Sequence, residues 1–260
     1  MPVTHDYHVH SNYSDGSVMP GMVRAAADAG LEAVGFADHC NVADRERMRR
    51  AKREYGFNLD RTYPLRREAI ETLRERFDLT VYDAVELDYD PRDEAAIADF
   101  LDEADFDYAL GSVHHVDGEN VQSSAEFADR SPVERRAIVE RYYESLVSLA
   151  ESELFEIAAH VDLVERTPEL RGYTTADHRE MVADAFARSP TVPEVNAGRA
   201  LGDYGEFHPA SDLFDALRER GVEFVVGSDS HAPAELRERV PALAERFEAA
   251  DAEPVRLFEG

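Results

Sequence analysis

Apolar runs of strand length alternate with helical patterns along the whole chain. Residues 3–9 read as a first strand. Pro20 opens a helix stopped by Gly30, with Met22, Val23, Ala26 and Ala27 on one face. Residues 31–37 form a second strand that delivers Asp38 and His39, and a charged, irregular stretch follows over 41–63. Pro64 begins a helix to Phe77 whose buried positions are Leu65, Ala69, Ile70 and Leu73. Strand 79–87 carries Glu86 near its end, a helix spans 91–103, and strand 106–113 runs into His114. Ser131-Pro132-Val133-Glu134 is a capping box with proline at the first helical position, and its helix buries Ile138, Tyr142, Leu146 and Leu149. Strand 154–159 runs into His160. Helices over 175–189, 209–220 and 233–249 then alternate with strands over 191–196 and 222–227, the last ending in Ser228-Asp229-Ser230-His231. About seven strand–helix units predict one α/β domain over 1–260, with a parallel sheet closed into a barrel.

The polar residues fall where such a barrel builds its sites. His8 and His10 are two apart on a strand, so both imidazoles face one point. Asp15 adds a carboxylate from a Ser-Asp-Gly turn. His39, Glu86, His114, His160, Asp229 and His231 also sit at C-terminal strand ends, which converge on one mouth in an α/β barrel. Imidazole and carboxylate are ligands of zinc, iron and manganese. Nine such donors are too many for one tetrahedral ion and suit two or three divalent ions, with Glu86 as a bridging anion. His114 and His115 are adjacent, so only one can face the mouth. His5 and His178 read as surface residues, and His208 lies in a loop near the mouth with its role open.

Composition narrows the setting. With 55 acidic and 28 basic residues the net charge is −27, and Lys52 is the only lysine. That balance predicts a halophilic surface, hydrated by carboxylates whose repulsion salt screens. It argues against nucleic-acid partners, which are also anionic. A hydrophobic content of 43% is enough for a globular core, so the charge does not imply disorder. Cys40 stands alone, which rules out an intrachain disulfide. No apolar run is long enough for a membrane span and no signal peptide is evident, so a cytoplasmic protein is expected. Oligomeric state is not legible.

The ordered set His8-x-His10-Ser-x-x-Ser-Asp15-Gly, Ala37-Asp38-His39, Glu86, Gly111-Ser112-Val113-His114, His160-x-Asp162 and Gly227-Ser-Asp229-Ser-His231 resembles the polymerase-and-histidinol-phosphatase (PHP) domain superfamily. Within it the chain looks most like the stand-alone histidinol-phosphate phosphatases, from its length, Val116-Asp117-Gly118, the His-x-Asp-Leu-Val run at 160–164 and Glu194-Val195-Asn196-x-x-Arg199. Residues 119–122 and the loop 200–208 depart from the family pattern. The resemblance implies a distorted seven-stranded (β/α) barrel with a trinuclear centre. One ion would be held by His8, His10, Glu86 and Asp229, a second by Glu86, His114 and His160, and a third by Asp15, His39 and His231. Glu86, Asp229 and His231 take the catalytic roles.

The implied reaction is phosphomonoester hydrolysis, most specifically of histidinol phosphate, with a metal-bridging hydroxide attacking phosphorus in line. Nucleotides or other small phosphoesters are the alternative substrates, and a non-catalytic metal-binding regulatory domain is the alternative of another class. Arg166 and Arg199 are the expected phosphate-binding residues, set against a role in surface salt bridges. Arg45, Arg47, Arg49, Arg50, Lys52 and Arg53 make the most basic stretch, expected either to overhang the site and attract an anion or to form a solvated helix face with i,i+4 pairs.

Overall fold

In a computed structural model, which describes residues 3–258, the strands are β1 (His5–Val9), β2 (Ala33–Cys40), β3 (Thr80–Asp88) and β4 (Tyr108–Ser112), then a small antiparallel hairpin of β5 (His115–Val116) and β6 (Glu119–Asn120), then β7 (Ile157–Ala158), β8 (Val192–Asn196) and β9 (Val225–Gly227). Seven of them form one parallel sheet in the order β1-β2-β3-β4-β7-β8-β9. The two edges meet. Val9 bridges Ser230, the Asp229 N–H donates to the His8 carbonyl at 2.7 Å, and the His10 N–H donates to the Ser230 carbonyl at 2.9 Å. The result is the nearly closed seven-stranded barrel expected from the strand–helix alternation, distorted because β7 and β9 are only two and three residues long.

Two apolar layers hold it. Tyr7, Ala37, Ala84, Tyr108, Leu110 and Ile157 belong to the smaller cluster, against which Val255, Leu257 and Phe258 pack. The larger cluster joins the sheet to the helices α1 (Met19–Asp28), α3 (Tyr63–Arg76), α4 (Glu94–Ala104), α5 (Ser124–Phe127), α6 (Pro132–Ser152), α7 (Ala176–Phe186), α8 (Ser211–Glu219) and α9 (Pro233–Ala249), while α2 (Glu46–Tyr55) lies outside it. The Ser131–Glu134 capping box is present, and Ile138, Tyr142, Leu146 and Leu149 are all buried.

Three local expectations are corrected. The stretch 41–63, irregular by its apolar pattern, contains a helix, α2, which is the solvated charged face, one of the two expectations for 45–53; Met48 is its only buried residue. Its stability comes from Arg49–Glu46 and Arg50–Glu54 pairs and a left-handed Gly56 cap, not from an apolar stripe. In α1, Ala25 is buried and Ala27 exposed. In α3, Leu65 is exposed and Ala69 half-buried, while Arg66 lies inside on one face with Ile70 and Leu73.

Electrostatics explains that inversion. Arg66 Nη1 donates to Asp38 at 2.9 Å, and Nη2 donates to Asp83 at 2.6 Å and to the Ala84 carbonyl. Asp38 in turn accepts from the Ser11 N–H at 2.7 Å, the Ser11 hydroxyl at 2.7 Å and the Ser14 hydroxyl at 2.6 Å. A buried arginine thus anchors the turn that carries Asp15. Removing one partner of a buried ion pair leaves the other uncompensated. Arg66→Ala is therefore expected to lower unfolding free energy by about 3–5 kcal/mol in urea melts; a loss below about 1 kcal/mol, the usual worth of an exposed pair, would show that Asp38 and Asp83 find other partners.

Candidate metal centre

The mouth is assembled from the strand ends. Between Asp6 and Val9 the β1–β2 register shifts, setting Tyr7 and His8 of β1 against the single Gly35 of β2. Such a bulge re-aims side chains, and it lets Tyr7 join the smaller apolar cluster while His8, the next residue, reaches the polar site. His8 and His10 are fully buried, and their Nε2 atoms face each other at 3.0 Å. Asp229 Oδ1 lies 3.3 Å from the His10 Nε2 and 3.9 Å from the His8 Nε2.

Glu86 occupies the centre. Its Oε1 is 2.9 Å from His160 Nε2 and 3.4 Å from His114 Nε2, and its Oε2 is 2.6 Å from His39 Nδ1, 3.6 Å from His8 Nε2 and 3.7 Å from His10 Nε2. Asp15 Oδ1 lies 3.3 Å from His231 Nε2 and 3.8 Å from His39 Nε2. All nine donors singled out in the sequence therefore meet. Among the described residues, His8, His10 and Asp229 form one close donor group, His39, Glu86 and His114 another, and His10, Asp15, His39 and His231 a third. His160 (φ 31°) and Asp229 (φ 52°) hold left-handed backbone, a strain that persists only where surroundings enforce it.

Two carboxylates outside this set orient the imidazoles. Glu194 lies 2.9 Å from His8 Nδ1 and accepts the His160 N–H at 3.0 Å. Asp88 lies 2.5 Å from His114 Nδ1 and 3.2 Å from His115 Nδ1. With Nδ1 paired in this way, His8 and His114 each turn Nε2 toward Glu86. Sequence reasoning gave neither acid a role. The available signal was Asp88 two residues beyond Glu86 on one strand, and Glu194 near the end of another. A Cβ on Gly227 would stand 1.9 Å from Glu194 Oε2, so only glycine lets that carboxylate pass.

The donor set fits divalent cations. Glu86 Oε2 is buried with no regular hydrogen bond, although His39 Nδ1 is 2.6 Å away. Two imidazole nitrogens and two carboxylates aimed at one point match a chelate better than a hydrogen-bond network. Burial pulls His39 down, but Glu86 and then Asp15 push it up to about 9. His10 is lowered to about 4, by burial first and then by His231 and His39. Burial would raise Glu86, yet His39, His114 and His8 hold it well below the usual carboxylate range.

A cavity of about 560 Å³ opens above these residues. Arg166 and Arg199 line it, and neither forms an ion pair with a carboxylate among the described residues. Burial, then Arg199, push Arg166 down to about 10. Arg239, which sequence reasoning missed, lines the same cavity and donates to the Asp229 carbonyl at 2.6 Å. The basic stretch divides. Arg45, Arg47, Arg49, Arg50 and Arg53 all pair with carboxylates, whereas Lys52 lines the cavity and donates to the Asn41 carbonyl at 2.7 Å. His208 is buried with Nδ1 2.6 Å from Asp162. His178 closes the cap of α7, and His5 is half-buried beside Thr4.

The PHP domain family model matches residues 6–196. The chain belongs to the PHP domain family. The match ends before Asp229 and His231, which the fold nevertheless returns to the same mouth. A protein of Deinococcus radiodurans described as a probable histidinol-phosphatase is 29% identical over 220 residues, covering 82% of this chain and 80% of that protein. The histidinol-phosphatase of Lactococcus lactis subsp. lactis is 26% identical over 239 residues, covering 87% and 83%. The crystal structure of the Lactococcus lactis histidinol phosphate phosphatase, complexed with zinc, L-histidinol and phosphate, superimposes with a TM-score of 0.80 at 20% identity, covering 98% of this chain and 96% of that one. That likeness extends the family's fold beyond residues 6–196 to nearly the whole chain.

Two outcomes are expected of this PHP domain. Glu194→Ala should weaken cation binding about 10–100-fold, the usual effect of removing a carboxylate that orients a ligand histidine, measured by competition with a chromophoric chelator. Unchanged affinity would show that Glu194 does not orient a ligand. A cation needs bare ligand nitrogens, and His39 keeps its proton up to about pH 9 when no cation is bound. Manganese affinity should accordingly rise from pH 6 to pH 8, up to about tenfold per pH unit for each proton displaced. A flat profile over that range would contradict it.

Proposed function

We propose that this PHP protein is a metal-dependent phosphomonoesterase that hydrolyses histidinol phosphate to histidinol and phosphate. The observation that carries the reaction class is the gathering of nine nitrogen and oxygen donors, five of them imidazoles within 4 Å of buried Glu86, beneath a cavity that also holds two arginines without carboxylate partners. The substrate rests on the similarity to the Deinococcus and Lactococcus phosphatases. Two or three divalent ions are to be held by His8, His10, Glu86 and Asp229, by Glu86, His114 and His160, and by Asp15, His39 and His231. Zinc, manganese and iron all suit these donors, and zinc is the first to load because the Lactococcus structure contains it. Bound there, the ions supply positive charge for the phosphoryl oxygens and acidify water at neutral pH.

The chain's own residues do the rest. Arg166 and Arg199 present guanidinium groups that can grip phosphoryl oxygens in pairs. Their lack of carboxylate partners leaves that capacity free, in a protein whose other acids outnumber its bases. Glu194 and Asp88 hold His8 and His114 in orientation, so that the donors need little rearrangement when charge develops. The acidic surface, with its single lysine, supports operation at high salt. No helix among the described residues is long and apolar enough to cross a membrane.

The deciding assay is phosphate release by zinc- or manganese-loaded protein in high salt, from histidinol phosphate against a panel of nucleoside monophosphates. Histidinol phosphate should be preferred. A preference for nucleotides would overturn the substrate, and silence on every phosphoester at full metal content would favour a non-catalytic role. Arg199→Ala should lower kcat/KM about tenfold or more, the worth of a hydrogen bond to a charged group; a change within about twofold, well under that worth, would remove Arg199 from the site.

A further inference from the structure

The cavity has two chemically distinct walls. In a closed ring of seven strands the greatest separation is three steps by the shorter path. β2 stands three steps from β7 through β3 and β4, and three from β8 through β1 and β9. Arg166 and Arg199 follow β7 and β8. The wall facing them is therefore built by the segment after β2, namely α2 and residues 56–58.

That wall is aromatic. Apart from histidines, Tyr55 and Phe57 are the only aromatic residues lining the cavity among the described residues. Their rings stack at 5.9 Å with planes 21° apart, and Phe57 stacks on His39 at 6.3 Å and 16°. Three flat groups thus run from the metal donors toward solvent. On α2 the cavity-lining residues are Met48, Ala51, Lys52 and Tyr55, spaced as one helix face. The arginine–carboxylate pairs involve Arg45, Arg47, Arg49, Arg50 and Arg53, none of which lines the cavity. Tyr55 is 61% exposed, among the most exposed large apolar side chains described, and it borders the site. The hairpin side of the mouth, residues 119–122, contributes no aromatic ring.

From this juxtaposition we infer that Tyr55 and Phe57 are the specificity wall of the site, on which the flat, conjugated ring of the leaving alcohol stacks while its phosphate lies against the arginines. The inference rests on the phosphatase reading above and deepens it: the ring is the imidazole of histidinol phosphate. Stacking on an aromatic surface discriminates a substrate with a ring from one without. The arginine wall, by contrast, grips any phosphomonoester.

The test compares kcat/KM for histidinol phosphate and for glycerol phosphate, which has no ring, in zinc-loaded wild type, Tyr55→Ala, Tyr55→Phe and Phe57→Leu. The preference for histidinol phosphate should fall about tenfold in Tyr55→Ala and Phe57→Leu, through KM and not kcat, and Tyr55→Phe should restore it. Saturation-transfer NMR with histidinol should show contact at the imidazole protons in wild type and its loss in Tyr55→Ala. Equal losses on both substrates, or an unchanged preference, would overturn the wall while leaving the phosphatase reading intact. A wild type that cleaves glycerol phosphate but not histidinol phosphate would overturn the substrate reading, and this inference with it.

Discussion

Everything at the mouth of this barrel depends on a carboxylate that has no right to be buried alone. Glu86 is 1% exposed, and burying a bare carboxylate costs several kcal/mol unless positive charge or hydrogen bonds compensate. Five imidazoles approach it within 4 Å, from β1 and β2 and from the residues just beyond β1, β4 and β7. Those imidazoles are themselves costly to bury, and two of them lean on further acids, Glu194 behind His8 and Asp88 behind His114. The demand for compensation spreads outward in shells, each fixing the geometry of the one inside. Arg66 extends it to the outer helices, because Asp38 needs a buried cation before it can hold the turn that brings in Asp15.

The charge of the molecule is partitioned in consequence. The surface is acidic, and its arginines are largely consumed by neighbouring carboxylates, as the pairs along α2 illustrate. The mouth keeps arginines without such partners, one of them pushed down by burial and by another cation. A net charge of −27 would repel an anionic substrate if it were spread evenly. Free cationic groups inside a cavity, together with a donor cluster that suits divalent ions, reverse the local sign. Salt can then screen the surface with little effect on the buried donors His8, His10 and Glu86.

The limits of pattern reading lie where charge, not hydrophobicity, sets the structure. Helix α2 has one buried residue and no apolar stripe, so only the spacing of its charges, not its hydrophobic periodicity, announces a helix. In α3 the apolar Leu65 points out and Arg66 points in, because two carboxylates on other elements outweigh the exposure of one leucine. Where hydrophobic periodicity governs, as in α6 with its capping box and four buried positions, the sequence reads correctly.

The sequence by itself determined the alternation of strands and helices, the parallel barrel and the family, because strand-end donors recur in an order that survives without any knowledge of contacts. It also placed eight donors at strand ends and Asp15 in a turn, since two-residue spacing, strand termination and turn chemistry are local properties. Only the tertiary structure decided which groups stand behind them. Glu194 and Asp88 matter through partners on or just beyond other strands, and their roles exist only once the sheet is assembled. The same closure set Tyr55 and Phe57 across the mouth from Arg166 and Arg199, a relation that depends on strand order around a ring and has no signature along the chain.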